Sequence, residues 1–206
     1  MDRKQYWEGV YSKKPVKEVS WFQEHADRSL KLIHDTGLGK DAAIIDVGGG
    51  ASTLVDDLVC EGYTDVTVLD LSSVALDVAK RRLGRRADAV HWMCGDITRV
   101  TFPVHSLDIW HDRAVFHFLT DPADRRAYVE QVIRAVRPGG HVIVATFGEN
   151  GPATCSGLPV MRYNPESLHD EFGGGFVLVE HQKEAHHTPA GKTQQFIYCY
   201  CRVAQN

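Results

Sequence analysis

The sequence predicts an α/β fold: a doubly wound, mostly parallel sheet with helices on both faces. Three observations carry that prediction. Short β-branched runs alternate with helical segments along most of the chain. One apolar strand ends in an acid and runs into Gly48-Gly49-Gly50. Near the C-terminus the alternation gives way to two strands separated by a polar segment, which suits an antiparallel pair.

The elements follow in order. Residues 1–40 form one or two helices carrying Tyr6, Trp7, Tyr11, Trp21 and Phe22. Residues 43–47 are the first strand, and the glycines after it permit positive φ and close approach of a ligand to bare peptide groups. A helix over 52–60 then presents unpaired N–H groups at its start and ends near Gly62. Residues 66–70 are the second strand, and 73–83 a helix with Val74, Leu76, Val78, Ala79 and Leu83 as its apolar residues. Residues 90–93 and 107–111 are the third and fourth strands. Asp121-Pro122 reads as an N-cap followed by proline at the first helical position. Tyr128, Val129, Val132, Ile133 and Val136 continue that helix until Pro138-Gly139-Gly140 stops it. Residues 142–147 are the fifth strand. A Gly- and Pro-rich insertion over 148–175 holds one short helix at 164–168, and 176–181 and 195–203 are the closing strands.

Composition narrows the function. A net charge of −4 and a pI near 6.2 give no general attraction to nucleic acid or anionic membrane. No apolar run reaches the ~18 residues of a spanning helix, and the start Met1-Asp2-Arg3-Lys4-Gln5-Tyr6 lacks the apolar core of a signal peptide. A cytoplasmic protein is expected. The five cysteines are an odd number with no C-x-x-C pair, so free thiols are expected. Cys199 and Cys201 should share one face of a strand. No metal site is expected, because no histidine pair has helical ligand spacing. The cluster Lys80, Arg81, Arg82, Arg85 and Arg86 sits at a helix C-terminus, where the dipole favours cations, and reads as a solvated face.

In an open α/β sheet, ligands lie outside the carboxyl ends of the strands. Strand one ends in Asp46 and the glycines. Strand two ends in Asp70, 20 residues beyond Gly50, where a carboxylate can accept both hydroxyls of a ribose. Asp96 follows strand three, placed to accept from an adenine amino group. Strand four ends in His111-Asp112-Arg113, beside the reactive end of such a cofactor.

Taken together, Asp46-Val47-Gly48-Gly49-Gly50, Asp70-Leu71-Ser72, Gly95-Asp96-Ile97 and Arg137-Pro138-Gly139-Gly140 resemble the motifs of class I S-adenosylmethionine-dependent methyltransferases in order and spacing. The resemblance spans about 40–147, and the closing hairpin extends it to the C-terminus. It implies a Rossmann-like seven-stranded sheet in the order 3-2-1-4-5-7-6, with strand seven antiparallel. It also implies a single domain over 1–206, divided into N-terminal lid helices (1–40), a cofactor-binding core (41–147), and a substrate insertion with the C-terminal hairpin (148–206). S-adenosyl-L-methionine is the implied cofactor. Gly48 and Gly50, with Gly49 between them, would face its methionine part, Asp70 and Leu71 the ribose, and Asp96 with Ile97 the adenine. Asp46 and His111 are further cofactor candidates, and Trp21 is expected to close over the site. The family often has glycine where this chain has Ser52, a residue suited to capping the helix.

Methyl transfer from a sulfonium needs alignment above all, and a base where the nucleophile arrives protonated. His111, Asp112 and His117 are the candidate catalytic groups. Arg113, Arg162 and Tyr163 are the candidate substrate residues, and Cys155 is a further pocket candidate expected chiefly to pack structurally. A small-molecule acceptor is expected, with a lysine or histidine of a protein as the alternative. Nucleic-acid and membrane partners are not expected, and the chain is expected to be a monomer or homodimer. An NAD-type oxidoreductase competes through Asp70, although the G-x-G-x-x-G pattern fails at Thr53. A non-catalytic cofactor-binding module also stays open.

Overall fold

The computed structural model describes residues 2–205. Met1 of the leader reading, and both ends of the 1–206 domain expectation, lie outside the described residues. Nine strands and six α-helices follow in chain order. They are α1 (Arg3–Lys13), α2 (Asp27–Asp35), β1 (Ile44–Val47), α3 (Leu54–Cys60), β2 (Val66–Asp70), α4 (Ser73–Leu83), β3 (Val90–Cys94), β4 (Leu107–Arg113), α5 (Pro122–Ala135), β5 (Val136–Phe147), β6 (Thr154–Cys155), β7 (Leu158–Pro159), α6 (Pro165–Phe172), β8 (Phe176–His187) and β9 (Thr193–Val203).

Seven strands form one sheet in the order β3-β2-β1-β4-β5-β9-β8. The two-residue pair β6–β7 stands apart, and without it the sheet reads 3-2-1-4-5-7-6 in chain order. β1 to β5 are parallel, and β9 runs antiparallel to both β5 and β8.

Alternation along each strand fills both faces of the sheet. Ile45, Val47, Trp110, Val142 and Val144 pack with Tyr128 and Val132 of α5 and Leu168 of α6. Ile44, Val66, Val68, Ile109 and Ile143 pack with Leu32 and Ile33 of α2, Leu54 and Leu58 of α3, and Leu76 of α4. Several helices start where the residue types ask them to. The Ser72 hydroxyl accepts from Ala75 N–H, Asp121 caps α5 ahead of Pro122, and Asn164 with Ser167 forms a reciprocal cap on α6.

Boundaries depart from expectation in several places. α3 starts at Leu54 with Thr53 as its cap, because the glycine loop takes one more turn before the helix opens. Pro138-Gly139-Gly140 lies inside β5: α5 ends at Ala135, and Gly139 at φ +77 lets β5 bulge where the register shifts between Leu107 and Ile109. β8 and β9 also run further toward each other than 181 and 195, to a His187–Thr193 pairing. A solvent-facing ribbon keeps its backbone paired without an apolar stripe, so its polar residues hide it from sequence reading.

Candidate active site

The carboxyl ends of β1 to β4 open onto one cleft, with an empty volume of about 820 Å³ that continues into open solvent. Its floor is the turn after β1. Gly48 has φ +70, and a Cβ there would collide with Val115 Cγ2. Opposite it, Ala114 also takes a left-handed φ of 73, uncommon for a residue with a side chain, while its N–H donates to Ala145 at 2.9 Å. Bare backbone therefore faces the cleft on one side, and a forced turn aims Val115 at it from the other.

Asp70 lines the cleft at the end of β2. Its two oxygens accept from Ser72 N–H at 2.8 Å and from Gly50 N–H at 3.0 Å. Burial raises its carboxyl to about 6, partly offset by those two bonds. Gly50 does not line this cleft. A Cβ there would sit 2.5 Å from Asp70 Oδ2 and 2.6 Å from the Ala75 methyl, so this glycine serves the site by letting Asp70 close in. Leu71, Asp96 and Ile97 complete this wall. The Asp96 Oδ1 accepts from Thr98 N–H at 2.9 Å and from its hydroxyl at 2.8 Å.

A second cavity of about 540 Å³ of empty space adjoins the cleft and shares Tyr11, Trp21, Gly48 and Arg113 with it. Asp46 and His111 are cross-strand partners in the β1–β4 register, so both side chains leave the same face, and Nδ1 meets Oδ1 at 2.7 Å. Both residues and Gly49 line this cavity. Asp46 Oδ2 and His111 Nε2 are buried and have no hydrogen-bond partner. Two orphaned polar atoms beside a glycine turn are an incomplete set that invites a polar ligand.

The N-terminal segment roofs both spaces. Trp7, Tyr11 and Trp21 line the cleft, with Trp7 edge-on to Phe118 at 5.2 Å and to Trp21 at 5.8 Å. Glu8 fastens α1 to the start of α4. Its carboxylate accepts from Ser73 N–H at 2.9 Å, Val74 N–H at 3.2 Å and the hydroxyls of Ser72 and Ser73. A carboxylate at a helix N-terminus also meets the favourable end of its dipole. Arg113 ties the far side, donating to the Trp21 carbonyl at 3.3 Å and the Tyr198 hydroxyl at 3.0 Å, and pairing with Glu184 at 3.3 Å.

Four expected site residues lie elsewhere. Asp112 is the neighbour of His111 on a strand, so it points to the opposite face. There it accepts from Val115 N–H, Phe116 N–H and the Tyr128 hydroxyl, which makes it a structural acid rather than a base. His117 is fully buried between Phe118 and Phe147, and burial followed by the Arg113 charge lowers it to about 3, so it stays neutral. Arg162 donates to the Glu149 and Gly151 carbonyls, and Tyr163 is buried with its hydroxyl on Glu171; neither lines the cleft. Cys155, a pocket candidate expected chiefly to pack, lines it, and burial pushes its thiol up to about 12. Arg3, Glu8, Val115 and Phe118 were missed. Only Glu8 had a sequence signal, an acid within an aromatic helix.

A family model described as a methyltransferase domain matches residues 44–140, the span that builds the floor and one wall of this cleft. Over that span the chain carries a methyltransferase domain of the S-adenosylmethionine-dependent class. It is an enzyme of that class, and S-adenosylmethionine is its cofactor. The oxidoreductase and non-catalytic readings are set aside accordingly. Among curated relatives, EEF1A lysine methyltransferase 2 of Danio rerio is 24% identical over 85% of this chain and 76% of its own length. An eEF1A lysine and N-terminal methyltransferase homolog of Drosophila pseudoobscura pseudoobscura is 28% identical over 66% of this chain, which spans only 21% of that longer protein. A ubiquinone biosynthesis O-methyltransferase of Coxiella burnetii is 27% identical over 68% of this chain and 60% of its own length. In fold, the N-methyltransferase NodS of Bradyrhizobium japonicum, solved with S-adenosyl-L-homocysteine, superposes with a TM-score of 0.74 at 16% identity, covering 99% of this chain and 100% of that one. Among the described residues, no helix is long and apolar enough to cross a membrane.

Proposed function

We propose that the chain transfers the methyl group of S-adenosylmethionine to an amine nitrogen, with a lysine side chain of a protein as the acceptor that best suits the cleft. The observation carrying this reading is a mouth walled by Trp7, Tyr11, Trp21 and Phe118, whose carboxylates among the described residues, Asp70 and Asp96, this reading gives to the cofactor. Asp112 is fully hydrogen-bonded on the other face, His117 is enclosed, and His111, with Nδ1 on Asp46 and Nε2 unpartnered, faces the adjoining cavity and not the aromatic mouth. An alcohol or phenol needs a base in place as it attacks. An amine can lose its proton to water before it enters. Aromatic faces then hold the alkylammonium stem by dispersion and cation–π attraction, worth ~0.5–2 kcal/mol.

In this reading the residues divide the cofactor among them. Asp70 accepts from the ribose hydroxyls through the lone pairs that its two loop bonds leave. Leu71 and Ile97 cover the adenosine, and Asp96 accepts from its amino group. Gly48 and Gly49 let the methionine part lie against the backbone, where the orphaned Asp46 Oδ2 accepts from its ammonium group. The cofactor supplies an electrophilic methyl on a sulfonium. Trp21 and Trp7 exclude water, and the walls align the nucleophile, a contribution of ~7–11 kcal/mol at best.

A lysine acceptor draws support from the Danio rerio relative, a lysine methyltransferase that matches most of both chains. A small-molecule acceptor is the second reading, favoured by the roof of α1 over the cleft and by the Coxiella burnetii relative. Incubation with methyl-labelled cofactor and fractionated cell extract separates the two. Label in protein, located on lysine by peptide mass spectrometry, is the expected result. Label confined to low-molecular-weight products supports the second reading and overturns the first.

A further inference from the structure

We propose that Cys199, Cys201 and His169 form a zinc(II) site that pins α6 to β9, on the sheet face away from the Asp46–His111 cavity. Cys199 and Cys201 are two apart on β9, so both side chains leave the same face, and their sulfurs lie 3.2 Å apart. His169 approaches from α6 with Nδ1 3.3 Å from the Cys201 sulfur. The three ligand atoms all lie within 4.8 Å of one another, from two elements 30 residues apart. Both thiols are buried, at 2% and 1% exposure, while His169 is half-buried.

The ligand types and the charge point to the ion. Two thiolates and a neutral imidazole select a soft cation. With a divalent ion the cluster is electrically neutral, which suits surroundings formed by Val142, Val144, Leu168 and Phe172. A tetrahedral ion with ~2.3 Å bonds to sulfur holds its two sulfurs ~3.8 Å apart, so the thiols need to separate by only about half an ångström. The half-exposed side of His169 gives water access to the fourth position. A disulfide is the poorer use of the pair. Two residues of extended strand span ~6.8 Å, the upper limit of disulfide Cα separation, and any such bond would be strained. These residues line neither cavity, so the site stands independently of the acceptor. The ion would add a covalent-strength tie between the helix that ends the insertion and the strand bonded to β5.

The test uses the full chain purified without chelator, then loaded with cobalt(II) as a spectroscopic stand-in for zinc. Equimolar zinc as isolated, and an intense near-ultraviolet thiolate-to-cobalt band after exchange, are the expected results. His169→Gln, at a half-exposed position, should lower zinc affinity more than tenfold. Cys199→Ser should abolish the charge-transfer band. Zinc at a hundredfold excess over its dissociation constant should raise the wild-type melting midpoint by at least about 5 °C, and the His169→Gln midpoint by clearly less. Absence of both retained zinc and the cobalt band in folded wild type would overturn the site. So would a Cys199–Cys201 disulfide found by non-reducing peptide mapping.

Discussion

Asp70 carries the heaviest expectation at the scale of single residues. Asp70→Ala should weaken S-adenosylmethionine binding by well over tenfold in calorimetry, since one carboxylate is asked to take a whole diol. Its ionisation near pH 6 adds a second signature. The folded-state value lies above the ordinary 3.8, so the charged form that a diol needs is lost as pH falls through about 6. Cofactor affinity should then decline toward tenfold per pH unit below that point, and should stay flat from pH 7 to 8. Gly48→Val should abolish binding while leaving a folded chain, because the new side chain meets Val115 and the φ of +70 strains it. Normal binding by that variant would remove the loop from the site. Asp46, Gly48, Asp70 and Asp96 were legible because a strand end followed by glycine or a cap tells where the side chain stands. Asp112 and His117 were not. β4 runs two residues past the expected end, and strand alternation then turns Asp112 away from His111 toward Tyr128. No spacing in the sequence reports which face a residue takes until the strand's extent is known.

Among the elements, α1 is the one whose placement the fold leaves to a few contacts. It buries no residue of its own fully and is held to α4 largely through Glu8. Glu8→Ala should therefore loosen the roof without unfolding the sheet. Amide hydrogen exchange in α1 should accelerate while β1 and β4 stay protected, and cofactor affinity should fall several-fold. Unchanged exchange in α1 would show that the aromatic contacts of Trp7 suffice. The parallel core was readable element by element because its strands are apolar runs bounded by glycine, proline and acids. β8 was readable only in part. Its burial alternates weakly, most of its residues face solvent, and sheet pairing there is held by backbone rather than by side chains.

For the whole molecule, the two faces of the sheet divide the labour. One face, under α2 and α3, carries Asp46, His111 and Arg113 toward the cleft and its adjoining cavity. The other, under α5 and α6, buries Asp112 and the thiol–imidazole cluster. Folding against the first face encloses His117 as a neutral ring, with a folded-state value near 3 against an ordinary 6.5. A lowered histidine favours the fold above pH 6.5, and that advantage is lost as pH falls toward 3. Asp70 and Asp112, both raised to about 6, act in the opposite sense over pH 6 to 4. Urea-unfolding curves of wild type and His117→Gln should separate these contributions: the variant should lose less stability on acidification below pH 6.5, by up to ~1.4 kcal/mol per pH unit. Equal slopes would mean that His117 titrates normally.

The claim beneath all of this is that the rim formed by β1, β2 and β3 receives an adenosyl sulfonium. A crystal grown with S-adenosylhomocysteine tests it directly. The ribose should rest on Asp70, the adenine between Leu71 and Ile97 near Asp96, and the amino-acid end against Gly48 within reach of Asp46 Oδ2. A ligand bound anywhere else, leaving Asp70 hydrogen-bonded only to Gly50 and Ser72, would contradict it.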